Sequence, residues 1–202
     1  MKDNLGWIVA GVILLIIVIS CVLSSGKKKE SENVEIMDGK HNVVIKVKNY
    51  GNIYLELDAD IAPITVTNFI YLVNKNFYDG LTFHRIIKGF MLQGGDPSGN
   101  GTGGSATTIK GEFVNNGVEN SISHERGVIS MARSSDMNSA SSQFFIVHKD
   151  SKFLDGDYAA FGHVTKGMEV VDKIVEEVGT TEDTLISKSF QPVIESIKVV
   201  EE

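Results

Sequence analysis

The stretch Thr82-Phe83-His84-Arg85-Ile86-Ile87-Lys88-Gly89-Phe90-Met91-Leu92-Gln93-Gly94-Gly95-Asp96 decides how this chain is read. Apolar residues crowd both halves and Lys88-Gly89 supplies a turn. Residues 82–87 and 90–94 therefore read as two strands of a hairpin. Side chains alternate across a strand, which puts Phe83, Arg85 and Ile87 on one face and His84 on the other. An arginine facing apolar neighbours needs a partner or a task, because burying an uncompensated charge is costly.

Working outward, residues 43–47 (VVIKV) and 53–57 (IYLEL) flank the turn Asn49-Tyr50-Gly51-Asn52 and predict a second hairpin. Pro63 suits a first helical turn. Val66, Phe69, Ile70 and Val73 recur at helical spacing, so residues 64–75 read as an amphipathic helix. Strand-like runs lie at 128–131, 143–147, 160–164 and 194–200. A second helix fits 168–178, with Val170, Val171, Ile174 and Val175 as its buried stripe. Many short strands at even spacing, two helices, and 20 Gly against 3 Pro predict a mainly β domain whose strands close into a barrel, with the two helices plugging its ends.

The N-terminus is a separate object. Residues 5–23 (LGWIVAGVILLIIVISCVL) carry no charge, and ~20 helical residues cover the ~30 Å of a bilayer core. Residues 1–26 are read as a hydrophobic signal or anchor helix, 27–41 as a polar linker opened by Lys27, Lys28 and Lys29, and 42–202 as the globular domain. Val18-Ile19-Ser20-Cys21 also has the form of a lipoprotein signal, with Cys21 as the lipidation candidate, so anchor helix and lipidated cysteine both stand. The domain is expected on the outer face of the membrane, although the lysine triplet argues for the cytoplasmic face. Cys21 is the single cysteine, which excludes an intrachain disulfide. The five histidines show no metal-ligand pairing, and a net charge of −7 without a basic stretch argues against nucleic acid. Gly99-Asn100-Gly101-Thr102-Gly103-Gly104 fits GxGxxG, but residues 105–113 (SATTIKGEF) are no helix former, so a turn-rich loop is the better reading.

Four motifs in register, FHRIIKGFMLQGGD, GNGTGG, GVISMARSSDMNSASSQFFI and FLDGDYAAFGHV, resemble the cyclophilin family, and the serine-rich stretch 134–142 resembles its bacterial branch. The resemblance runs from about residue 43 to 200. It implies peptidyl-prolyl cis-trans isomerase activity, with proline-containing polypeptides as clients and protein folding as the setting. It also implies a closed eight-stranded antiparallel barrel capped by two α-helices, working as a monomer with no cofactor or metal; membrane attachment is read from the N-terminal run and not from the resemblance. By motif, Arg85 resembles the catalytic arginine, Gln93 the residue that steadies it, and Phe90 a wall of the proline pocket. Met91, Phe145 and Leu154 resemble further walls, His84 and Tyr158 the rim, Ala132 and Arg133 the segment beside a substrate strand, and Gly101 the neighbouring loop. Phe153 stands where cyclosporin-sensitive relatives carry tryptophan, which removes an indole N–H donor and implies weak cyclosporin binding.

The chemistry fits these residue types. Rotation about an X-Pro bond faces a barrier of ~18–20 kcal/mol, because the amide nitrogen shares its lone pair. In the twisted transition state the lone pair returns to the nitrogen, which becomes a better acceptor. A fixed, permanently charged donor favours that state over the planar one, and an apolar pocket strengthens the donor. No nucleophile or general base is needed. A module that only docks proline-containing segments would be expected to lack Arg85 or Gln93, and a holdase chaperone would want a large exposed apolar surface.

Overall fold

The computed structural model describes residues 35–201; the hydrophobic segment, Cys21 and most of the linker lie outside them. The chain order is β1 (Lys40–Val47), β2 (Gly51–Asp58), α1 (Pro63–Asn74), β3 (Thr82–Ile87), β4 (Met91–Asp96), β5 (Val128–Met131), β6 (Phe144–Val147), β7 (Ala160–Lys166), α2 (Met168–Val178) and β8 (Ile194–Val200). Among the described residues no helix is long and apolar enough to cross a membrane.

The first hairpin forms as its alternation requires. Val43, Ile45 and Val47 pair across to Leu55, Ile53 and Gly51, and the apolar members are buried. Lys46 and Asn52, between them, meet solvent or its margin. Pro63 opens α1, where its missing N–H costs nothing. The helix is less amphipathic than its stripe suggests, because Thr65, Thr67 and Leu72 are buried along with Val66, Phe69, Ile70 and Val73. Phe69 sits in an aromatic cluster, its ring centroid 5.1 Å from Tyr78, 5.5 Å from Phe144 and 5.3 Å from Phe161. In α2 the expected stripe is buried as read.

One antiparallel sheet runs in the order β3-β4-β6-β5-β7-β2-β1-β8. The expected closed barrel is corrected here: the sheet is a curled half-barrel whose edge strands, β3 and β8, do not form a ladder with each other. Only a short seam joins them, with Thr82 bridged to Val193, Phe83 N–H donating to Pro192 O, and Ile194 N–H to Leu81 O. Pro192 has no N–H to offer. Above that seam the outer edge of β3 is taken by the segment between α2 and β8: Ile186 N–H donates to His84 O, and Thr180 N–H to Ile86 O. A covered edge satisfies the strand's backbone and blocks stray pairing.

The start of α1 lacks a side-chain cap of its own. Glu112, nearly fully buried, supplies one from 47 residues away. Its carboxylate accepts from Ile64 N–H (3.0 Å), Thr65 N–H (2.8 Å) and Thr65 Oγ1 (2.7 Å). A carboxylate satisfies orphan donors and complements the helix dipole. Glu112→Ala is expected to lower unfolding free energy by about 2–3 kcal/mol, since buried N–H groups lose a charged acceptor. Urea denaturation measures this, and a change below about 0.5 kcal/mol would show that water replaces the cap.

Candidate functional site

The hairpin β3–β4 carries an irregularity that the period-2 reading does not contain. Phe83 pairs with Gly94 and Arg85 with Gln93, so His84 is an extra residue with no partner opposite. Such a bulge shifts the alternation by one position. Phe83 and Ile86 therefore enter the main core, while Arg85 and Ile87 turn to the other face. The expectation that Phe83 and Arg85 share a face is wrong for this reason. Phe83 packs so tightly on Gly94 that a Cβ there would lie 2.8 Å from its ring, so the site requires glycine.

That other face bears a second apolar cluster: Met91, Val128, Phe145, Val147, Leu154 and Ala160. Above it opens a pocket of about 160 Å³, lined by Arg85, Phe90, Met91, Gln93, Ala132, Arg133, Phe145, Leu154 and Tyr158. Nine of the residues singled out from the sequence thus meet in one place. Phe145 lies with its ring 6.0 Å from Tyr158, edge to face, and 6.0 Å from His124, stacked. His124 is itself bound on both sides, to Asp155 Oδ1 (2.8 Å) and Ser130 Oγ (3.0 Å).

The polar side of the pocket is a directed chain. Arg85 Nη1 donates to Gln93 Oε1 (3.1 Å), Gln93 Nε2 to Gln143 Oε1 (2.9 Å), and Gln143 Nε2 to the carbonyls of Gly101 (3.1 Å) and Gly103 (2.7 Å). A guanidinium only donates, so Gln93 must present its oxygen to it, and the direction of each later bond is then set. Arg85 also lies 5.8 Å from the Phe90 ring centre and 3.6 Å from Met91 Sδ through Nη1. Its Nε donates to Asp183 (2.6 Å), and Nη2 has no partner among the described residues. Gln143 and Asp183 were not singled out from the sequence. A glutamine before FFI and an aspartate in a polar loop carry no local mark.

Three expected residues lie elsewhere than on the walls, and a fourth lines the pocket with side-chain donors already taken. His84 is fully buried, with neither ring nitrogen bonded, and is not part of the pocket lining. Burial pushes its pKa down, partly opposed by the Asp96 carboxylate. Gly101 lines an adjoining polar cavity of about 330 Å³. Phe153, 72% exposed, stands outside the pocket with its ring 5.6 Å from Phe90. Arg133 lines the pocket, but its guanidinium is bound to Asp157 O (2.9 Å) and Ser134 O (2.9 Å) and rests on Tyr158 and Phe113.

The chain has matches among known proteins. The family model "Cyclophilin type peptidyl-prolyl cis-trans isomerase/CLD" matches residues 42–199. Peptidyl-prolyl cis-trans isomerase A of Dickeya dadantii is 42% identical over 170 residues, covering 78% of this chain and 84% of that protein. Peptidyl-prolyl cis-trans isomerase B of Bacillus subtilis is 50% identical over 117 residues, 58% of this chain and 78% of that one. A crystal structure of a cyclophilin type isomerase from Cryptosporidium parvum superposes with a TM-score of 0.71 at 29% identity, over 81% of this chain and 99% of that chain. A second structure of it, in the presence of the dipeptide Ala-Pro, gives 0.70 at 30% identity, over 80% and 99%.

The glycine loop beside the pocket is built on Asp96, which is 1% exposed. Its carboxylate accepts from Ser98 N–H (2.7 Å), Asn100 N–H (3.0 Å) and Gly101 N–H (2.6 Å). Burial alone would raise its pKa, but these donors outweigh it and hold the group below the usual carboxylate value. A depressed carboxylate stabilises the fold above its unfolded pKa of ~3.9, and that contribution is lost as pH falls through the lower folded value. The urea midpoint of the parent is expected to fall between pH 5 and about pH 3 more steeply than that of Asp96→Asn. Parallel pH profiles would remove Asp96 as a source of acid sensitivity.

Proposed function

This chain belongs to the cyclophilin-type peptidyl-prolyl cis-trans isomerases, and from that premise we propose that its catalytic donor is Arg85 Nη2, aimed into the Phe145 pocket. The activity is isomerisation of X-Pro bonds. The observation that carries the residue assignment is the state of the guanidinium: Nε and Nη1 are taken by protein acceptors, and Nη2 is left over among the described residues. A proline ring seats against Met91, Phe145 and Leu154, with Phe90 and Tyr158 at its sides. The second Cryptosporidium structure was determined in the presence of a dipeptide of that size class, Ala-Pro.

This seating leads to three steps. The apolar floor grips the ring while the chain on the other side of the bond remains free to turn. Rotation returns the lone pair to the proline nitrogen, and Nη2 donates to it. Gln93, held by Gln143, keeps the guanidinium from following the substrate, so the donor is in place before the charge develops and no reorganisation is needed. A substrate strand lies along Ala132 and Arg133. His84 takes no part in proton transfer. The domain acts as a monomer on unfolded clients and assists their folding.

Membrane attachment through the N-terminus completes the reading. Its support is the uncharged 19-residue run 5–23 with Cys21 near its end; the outer face is the side this reading favours, while Lys27, Lys28 and Lys29 argue for the cytoplasmic one.

Exchange of an X-Pro peptide measured by NMR tests the site in the full chain. Arg85→Ala is expected to lower kcat/KM on the order of a hundredfold, the usual loss for one preorganised donor. A parent that folds but gives no acceleration would mean a module that only docks proline segments. Mass spectrometry of the membrane-extracted chain tests the attachment. A lipid-bearing Cys21 at a cleaved N-terminus makes the lipid the tether, and an unmodified chain that keeps residues 5–23 makes the apolar run itself the anchor.

A further inference from the structure

Gln93 is only half of the hold on Arg85. The other half comes from Asp183, which lies 98 residues away and accepts from Arg85 Nε at 2.6 Å. Asp183 belongs to the segment 179–193 that covers the free edge of β3. On one side of it, Thr180 N–H donates to Ile86 O (3.0 Å) and Lys88 N–H to Thr180 O (2.8 Å). On the other, Ile186 N–H donates to His84 O (2.8 Å), and Leu185 bridges Arg85 itself. Gln191 then ties the segment down, its Nε2 donating to Ile186 O and Gly99 O, both at 2.9 Å. Asp183 is therefore fixed from both sides, although its carboxylate is 72% exposed.

An exposed ion pair ordinarily contributes little, because two long side chains must be frozen to make it. Here the cost is smaller. The loop backbone is already stapled, and the Arg85 side chain is only 24% exposed and held by Gln93. The hydrogen bond from Arg85 keeps the Asp183 carboxyl below the usual value, so it is charged wherever the protein is folded near neutrality.

We propose that Asp183 is a positioning residue for the isomerase reaction. It holds Nε from the loop side while Gln93 holds Nη1 from the sheet side, which fixes the plane and tilt of the guanidinium. With two of the three nitrogens pinned, the direction of Nη2 is determined. An arginine side chain is rich in rotamers, and ordering it before substrate arrives removes that cost from the transition state. This rests on the assignment of Arg85 as the donor. It assigns Asp183 no contact with substrate.

The test compares the full chain with Asp183→Ala, Asp183→Asn, Arg85→Ala and the double variant Arg85→Ala/Asp183→Ala. It measures kcat and KM for an X-Pro peptide together with the Arg85 Nε–H resonance in 15N NMR. For Asp183→Ala, kcat is expected to fall about five- to tenfold with KM within about twofold, the pattern of an interaction that matters only in the transition state. The Arg85 Nε–H resonance, assigned by its loss in Arg85→Ala, should shift and broaden in Asp183→Ala. Asp183→Asn keeps an acceptor oxygen and should retain at least about half of kcat. Removing Asp183 in the Arg85→Ala background should cost nothing further. Unchanged kcat in Asp183→Ala would reduce the contact to a surface ion pair, and a raised kcat would mean that Asp183 competes with substrate for Arg85. Either result overturns the proposal. Full activity in Arg85→Ala would instead remove the Arg85 assignment itself, a distinct failure.

Discussion

The extra residue at His84 is the constraint on which the site depends. A strand of strict alternation would send Arg85 into the same core as Phe83, where a guanidinium would lose its water without gaining enough partners. The bulge moves Arg85 to the outer face and leaves Phe83 and Ile86 inside. It also forces Phe83 onto the bare backbone of Gly94, and leaves His84 folded inward with no hydrogen bond. The irregularity falls at the one place where a side chain must be re-aimed, which is where irregular backbone is generally found.

Once Arg85 is outside, everything around it serves orientation. The apolar cluster under the pocket needs no polar partner, and the polar chain from Arg85 through Gln93 and Gln143 ends on carbonyls of the glycine loop. That loop is in turn wrapped around Asp96. The arginine is thus coupled to a buried carboxylate through Gln93, Gln143 and Gly101 without touching it. The relay of amides transmits position from Asp96 without placing a second carboxylate on Arg85, whose ion pair is with Asp183 through Nε. Arg133 shows the contrast within the same pocket: it is bound to the carbonyls of Ser134 and Asp157 and flattened on two rings, so it contributes mainly shape.

Much of this was legible in the sequence where the determinants are local. The first hairpin comes from VVIKV and IYLEL, and the buried stripe of α2 from its spacing. The pocket walls come from motifs that keep Arg85, Phe90, Met91 and Gln93 within nine residues. What stayed hidden depends on distant partners. The bulge leaves only a pair of glycines, Gly94-Gly95, as its trace. Glu112 caps a helix 47 residues earlier, and Asp183 reaches Arg85 across 98. The barrel was expected to close from the many short, evenly spaced strands and from the family resemblance. It stays a half-barrel because the edge of β3 is given to the 179–193 segment, and that exchange is also what delivers Asp183 to the site.

Five groups in and around the site, His84, His124, Asp96, Asp155 and Asp183, have pKa values displaced away from neutrality. Burial pushes His84 and His124 down, so both rings stay uncharged. Asp96 and Asp155 are held low by their donors in spite of desolvation, and Asp183 by its bond to Arg85, so all three stay ionised. Arginine does not titrate in this range. A reaction that moves no proton gains nothing from a group poised near pH 7, in contrast to acid–base enzymes, which tune theirs toward it. The field at the proline nitrogen is consequently set by geometry and not by protonation, which explains why the fold invests in fixing one guanidinium from two sides.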